Sequence, residues 1–159
     1  MPSLTPAAPL VLVLALVAGL VIWLVGGRNR GATIAALLLV AWGAVFAATL
    51  TPSPYEAFEQ QVTCKFALTM GAVPKERLAN VLLFVPLGFV SWFASPRWIW
   101  VAAACAAPLL IEAAQGVIVA MNRGCDVMDV VANVLGVGLG VALGVAAWSM
   151  SPALRGGNG

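Results

Sequence analysis

The feature that most constrains this chain is a series of long apolar runs. A helix of about 20 apolar residues crosses the hydrocarbon core of a bilayer and satisfies its own backbone hydrogen bonds there. The sequence therefore predicts an all-α, polytopic membrane helix bundle with about five transmembrane helices. The five runs cover residues 7–25, 32–50, 79–94, 98–120 and 129–150.

The composition supports this class and excludes others. The chain is 62% hydrophobic and 9% charged, whereas roughly 25% of the residues in a typical soluble protein are charged. The net charge of +2 and the absence of zinc-type Cys/His spacing argue against a nucleic-acid partner. Histidine is absent, which removes the commonest general base. We expect membrane lipids as partners and no resident cofactor.

The chain is expected to form one transmembrane domain over residues 1–159, with an outer loop between helices two and three. Residues 51–78 begin with "TPSP" and carry six charged residues, as a loop would. The first run could instead be a signal peptide. It is long for one, and its basic residues follow it, so we favour a membrane anchor.

The distribution of Lys and Arg predicts the orientation. With the N-terminus outside, the segments on the inner side hold only Arg28, Arg30, Arg97 and Arg155, and no acidic residue. Cytoplasmic loops carry such an excess of basic residues. We therefore expect the C-terminus to lie in the cytoplasm.

In that orientation two cysteines face the outside. Cys64 would lie in the long outer loop and Cys125 before the fifth helix. Disulfides persist in an oxidising compartment, so a Cys64–Cys125 bridge is expected, and two free thiols are the alternative. Cys105, inside the fourth run, is expected to be a small apolar core residue.

The scarce polar residues fall on helix faces. In the fifth helix Asp126, Asp129 and Asn133 share one face at about 100° per residue. The same face continues as glycine at four-residue spacing, which lets another helix approach closely. The stripe is therefore expected to face protein, and its glycines to serve helix packing. They are Gly136, Gly140 and Gly144.

The third and fourth helices carry polar residues toward the same end. Glu112 and Gln115 share a face of the fourth helix, and Asn80 lies near the start of the third. A carboxylate at bilayer depth is costly and indicates function. We expect one outward-facing polar pocket, with Arg123 balancing part of its charge. Three further residues are expected to serve helix packing: Pro86, Gly88 and Pro108.

A purely structural interpretation of these residues also exists. Asn80 and Gln115 could simply hydrogen-bond one helix to another. Asp126 could cap the N-terminus of the fifth helix. Three tryptophans near the inner "SPR" turn are expected to form part of an interfacial aromatic belt. They are Trp92, Trp98 and Trp100.

Three segments resemble the VanZ-like family of bacterial membrane proteins. They are "NVLLFVPLGF" (80–89), "IEAAQ" (111–115) and "RGCDVMDVVANVLG" (123–136). The "TLTPSP" segment after the second run is also similar to the family, and the resemblance is strongest over residues 47–145. It implies a multi-pass protein of the bacterial plasma membrane with a role in resistance to teicoplanin-type glycopeptide antibiotics.

The resemblance implies no known reaction, and three functions stay open. We favour a protein that binds an envelope lipid, a lipid-linked cell-wall intermediate or the lipoglycopeptide itself. An intramembrane enzyme is an alternative, with Glu112 and Asp129 as acid and base or as ligands of a divalent cation. A small lipid transporter, with Glu112 carrying a proton, is the other.

Overall fold

The computed structural model describes residues 7–25, 29–49, 75–118 and 126–150, and within these ranges the chain is helical with no strand. The predicted all-α bundle of five helices is confirmed. Four helices begin one to four residues earlier than predicted, at Arg30, Lys75, Arg97 and Val127, because a helix can begin before the first residue of its apolar run. The helices are α1 (Ala7–Val25), α2 (Arg30–Thr49), α3 (Lys75–Phe93), α4 (Arg97–Val117) and α5 (Val127–Met150).

The length and hydropathy of most of the helices are those of membrane-spanning segments. Three of them, α2, α4 and α5, are long and apolar enough to cross a bilayer. The other two contain shorter apolar stretches, Val13–Ile22 in α1 and Arg77–Phe93 in α3, within the part of the chain that the structure describes. Many large apolar side chains point outward, as they do in a lipid-facing bundle. Leu24, Leu82 and Leu110 are 62%, 59% and 69% exposed.

Helix α3 is the centre of the bundle, because it packs against α2, α4 and α5. Phe84 and Leu87 on α3 are completely buried, as are Val45 on α2 and Val137 on α5. These four residues belong to one apolar core. Helix α1 packs mainly against α2, so it lies at the periphery.

The most extensive contact joins α3 to α5, and these two helices run parallel. A Cβ added to Gly136 would meet the carbonyl oxygen of Val81, and one added to Gly140 would meet that of Val85. Residue numbers rise together on the two helices, which defines the parallel register. Small residues are what allow two helix backbones to approach this closely.

Four more residues were expected to serve helix packing, and they differ in burial. Gly88 lies against the backbone of Val137, and Pro108 is fully buried inside α4. Gly144 lies against the side chain of Trp92. Pro86 lies within α3, but its side chain is exposed.

The expectation that Cys105 is a core residue was wrong. Cys105 is exposed, whereas its neighbour Ala104 is completely buried. Successive helical residues are rotated by about 100°. The buried face of α4 follows Ala104, Pro108 and Ile111, so it turns Cys105 away from the core.

Candidate functional site

The antiparallel order of consecutive helices gives the bundle two ends. The C-termini of α2 and α4 meet the N-termini of α3 and α5 at what we call the Asp126 end. The N-termini of α2 and α4 meet the C-termini of α3 and α5 at what we call the Arg97 end. The described polar residues that the sequence singled out for a pocket lie toward the Asp126 end: Asn80, Glu112, Gln115, Asp126, Asp129 and Asn133.

Glu112 connects two helices at this end. Its side chain is 5% exposed, inside the last part of α4. Its Oε2 atom accepts a hydrogen bond of 3.0 Å from the backbone N–H of Asp126. The N-terminus of a helix carries a partial positive charge and N–H groups without helical partners. The start of α5 therefore stabilises a carboxylate that apolar surroundings would otherwise disfavour.

Asp126 caps α5 directly. Its Oδ1 atom accepts a hydrogen bond of 2.8 Å from the N–H of Met128, and its Oδ2 atom lies 3.8 Å from Nη2 of Arg77. The first contact is the N-cap arrangement that the structural interpretation described. The second is a long, part-exposed ion pair, of a kind that contributes about 0–1 kcal/mol.

Gln115 also joins helices. Its Nε2 atom donates a hydrogen bond of 2.6 Å to the carbonyl oxygen of Thr49, the last residue of α2. That carbonyl is one of the four at a helix C-terminus that have no partner within the helix. The Thr49 hydroxyl in turn donates a 2.7 Å hydrogen bond to the carbonyl of Val45. Gln115 therefore fastens α4 to the end of α2.

Asn133 is the most deeply buried member of the group. It is 2% exposed, and its Oδ1 atom has no hydrogen-bond partner in the described part of the chain. The α3–α5 register, extended by one turn, puts Asn133 level with residues 77–81, which include Asn80. Asn80 and Asp129 are half-buried. A buried amide oxygen without a partner is unfavourable unless something donates to it.

Some predicted residues lie outside the described ranges. They are Arg123 of the expected pocket and both members of the expected disulfide, Cys64 and Cys125. Within the described ranges, no group of three or more acidic or cysteine side chains is arranged to hold a metal ion. The described site therefore offers hydrogen-bond acceptors, an amide group and the Arg77 guanidinium to a polar ligand.

Sequence reasoning missed two partners at this end. It identified Glu112 and Gln115, but their partners are backbone groups, the Asp126 amide and the Thr49 carbonyl. Backbone groups carry no signature of their own in a sequence. The positions of the helix ends were the available signal, because the N–H and C=O groups there need hydrogen-bond partners from outside the helix.

Comparison with known proteins agrees with the architecture. The family model described as VanZ/LLP1 matches residues 11–148. No curated protein and no solved structure matches the chain. The matched range includes nearly all of the described helices and the whole polar group at the Asp126 end. The chain is thus a membrane protein that belongs to the VanZ/LLP1 family.

Proposed function

We propose that this protein binds an amphipathic envelope molecule at the Asp126 end of the bundle, which faces the outside of the cell. The ligand is an envelope lipid, a lipid-linked cell-wall intermediate or the antibiotic itself, and binding contributes to resistance against teicoplanin-type lipoglycopeptides. Membership of the VanZ/LLP1 family supports the link to resistance.

The observation that carries the proposal is the position of Glu112. An apolar membrane protein could satisfy one backbone N–H of α5 with a neutral side chain, yet it keeps a carboxylate that is 5% exposed. A carboxylate within a membrane bundle is costly and usually functional. Here the carboxylate lies beside the start of α5, at the end of the bundle where we propose that the ligand binds.

The neighbouring amide supports a binding role. Asn133 Oδ1 is buried and accepts no hydrogen bond from the described chain. It lies about two turns into α5 from Asp126, on the same face as Asp129. A ligand with hydroxyl or amide donors would satisfy it, and sugar–peptide headgroups of cell-wall intermediates are rich in such donors. The lipid-facing leucines around the bundle suit the apolar part of the same molecule.

The test combines resistance with bound lipid. Glu112→Gln removes the charge but keeps the side-chain shape and an oxygen acceptor for the Asp126 N–H. Asp129→Asn likewise removes a charge from α5 while keeping the shape of the side chain. Each variant is expressed at equal level, and teicoplanin susceptibility is measured beside mass-spectrometric identification of co-purified lipids. The control is Glu59→Gln, the same change in the segment between α2 and α3.

We expect Glu112→Gln and Asp129→Asn to lower resistance and to reduce one co-purified species, with the folded amount unchanged. Glu59→Gln should behave as the wild type. Full resistance in both Glu112→Gln and Asp129→Asn, at equal protein level and with unchanged lipids, would contradict the proposal and leave Glu112 with a purely structural role.

A further inference from the structure

The Arg97 end contains a second site, which differs in chemistry from the polar group at the other end. A half-open cavity of about 610 Å³ lies between the start of α2, the α3–α4 turn and the end of α5. Two arginines, Arg30 and Arg97, line it together with aromatic rings. None of the residues assigned to the proposed pocket lies in this cavity.

The two guanidinium groups are held by the same aromatic ring. The Cζ atom of Arg30 lies 5.6 Å from the centroid of Trp148, and that of Arg97 lies 5.2 Å from it. Arg97 also lies 5.0 Å from the Trp92 ring, which packs edge-on against Trp98. A cation over an aromatic face is attracted by the ring quadrupole. Both positive charges therefore lie beside one ring, and their Cζ atoms are at most about 11 Å apart.

No carboxylate in the described chain neutralises these charges. The ion pair that the described residues form, Arg77–Asp126, is at the opposite end. The sequence has no acidic residue before Glu56, none between Glu76 and Glu112, and none after Asp129. Two guanidiniums that line one cavity without an acidic partner among the described residues attract an anion from outside the protein.

The helix ends at this cavity add to the positive field. Helices α2 and α4 both begin here, and the positive end of the helix dipole lies at a helix N-terminus. Pro96, the N-cap of α4, offers no side-chain hydrogen bond to the first-turn N–H groups. At α2 the Gly31 N–H already donates to Oδ1 of Asn29, so the N-terminus of α4 is the one that a phosphate group would meet.

Apart from Asn29 and Ser95, the remaining walls of the cavity are apolar. Ile34 and Leu38 lie one and two turns into α2 from Arg30, and Phe93 closes the α3 side. A free inorganic anion gains nothing from these residues, whereas an acyl chain buries apolar surface against them. Arginines at a helix end with apolar walls beneath them match the phosphate and the upper chain of a phospholipid, and basic pockets between helices bind anionic headgroups.

We infer that the cavity at the Arg97 end binds the phosphate headgroup of an anionic phospholipid, with Arg30 and Arg97 as its ligands. The inference holds whether or not the proposed function at the Asp126 end is correct. The first test is native mass spectrometry of the full chain in detergent, titrated with phosphatidylglycerol or with phosphatidylcholine of the same acyl chains.

The variant Arg30→Gln/Arg97→Gln removes both charges. Its control, Lys65→Gln/Lys75→Gln, changes the net charge equally at two residues that are distant in sequence from those that line the cavity. We expect the wild type and the control to prefer phosphatidylglycerol, and the arginine variant to lose roughly tenfold or more in affinity for it. Arg97→Lys keeps the charge and should show an intermediate preference for phosphatidylglycerol. This variant keeps the test informative if the double variant misfolds.

Three results would overturn the inference. One is a wild type that binds both lipids equally. Another is an equal loss of preference in the lysine control, which would assign the effect to net charge alone. The third is a wild type that is stabilised by millimolar inorganic phosphate but not by phosphatidylglycerol, which would assign the cavity to a free anion.

Discussion

The backbone N–H of Asp126 donates a 3.0 Å hydrogen bond to Oε2 of Glu112, so the buried carboxylate of α4 meets the first residue before α5. The same Asp126 accepts a hydrogen bond from Met128 through its own side chain. Two carboxylates, one on α4 and one directly before α5, therefore accept hydrogen bonds at the same helix N-terminus. This contact explains how a charge survives among apolar neighbours, and it separates the structural part of Glu112's role from any functional part.

The first prediction uses this contact. Glu112→Leu removes the acceptor and leaves the part-buried N–H of Asp126 unpaired, which costs about 1–3 kcal/mol. Glu112→Gln keeps an acceptor and should lose less than about 1 kcal/mol. Thermal unfolding in detergent measures both. Equal melting temperatures for the two variants would contradict a structural role for the hydrogen bond.

The second prediction concerns the α3–α5 contact. A Cβ on Gly140 would meet backbone atoms of Val85 and Phe89, whereas one on Gly138 would meet nothing within 4 Å. Gly140→Ala should therefore destabilise the bundle by about 1–3 kcal/mol. Gly138→Ala, the identical change two residues earlier, should be neutral or slightly stabilising. Fluorescence-detected size exclusion after heating compares the pair, and similar losses in both would refute the register described here.

The third prediction concerns the Gln115–Thr49 hydrogen bond. Gln115→Leu leaves the Thr49 carbonyl without its donor, at an expected cost of about 1–3 kcal/mol. Gln115→Glu should be worse, because a carboxylate would face a carbonyl oxygen. Ala113→Leu, on the exposed side of the same turn, is the control. If all three variants unfold at the same temperature, the contact contributes nothing.

The fourth prediction is the orientation. After replacement of all three cysteines, new ones at Asn29 and Asn158 should not react with a membrane-impermeant thiol reagent in whole cells. A variant that retains only Cys64 should react and serves as the positive control. Strong labelling at position 29 or 158 would reverse the orientation, and the Asp126 end would then face the cytoplasm.

The fifth prediction is the Cys64–Cys125 disulfide, which lies outside the described residues. Peptide mapping of freshly isolated membranes, with and without reductant, should reveal the linked peptides. Cys105 should be alkylated in both samples once detergent gives the reagent access, since it is exposed on α4. Alkylation of Cys64 and Cys125 without reductant would exclude the bridge.

The sequence predicted the helices well because apolar run length is a local property. It also identified the polar residues of α4 and α5, since helical periodicity alone groups them. It could not give the parallel α3–α5 register, which depends on how Gly136 and Gly140 meet a helix about 55 residues earlier in the chain. The cavity at the Arg97 end was missed for the same reason. Sequence reasoning assigned Trp92 and Trp98 to a membrane belt. In the structure they line one cavity with Trp148, which lies near the C-terminus of α5, about 50 residues later in the chain.

The charges described above are separated along the bundle axis. Among the described residues, two guanidiniums and no carboxylate side chain lie at the Arg97 end. The carboxylates of Glu112, Asp126 and Asp129 lie toward the other end, together with Lys75 and Arg77. A membrane potential acts on such a separation with about 2.3 kcal/mol per elementary charge per 100 mV. In an energised cell, whose interior is electrically negative, the arginines are drawn inward and the carboxylates outward. A membrane potential that is negative inside therefore favours the orientation that the basic residues predict, with the Arg97 end inward.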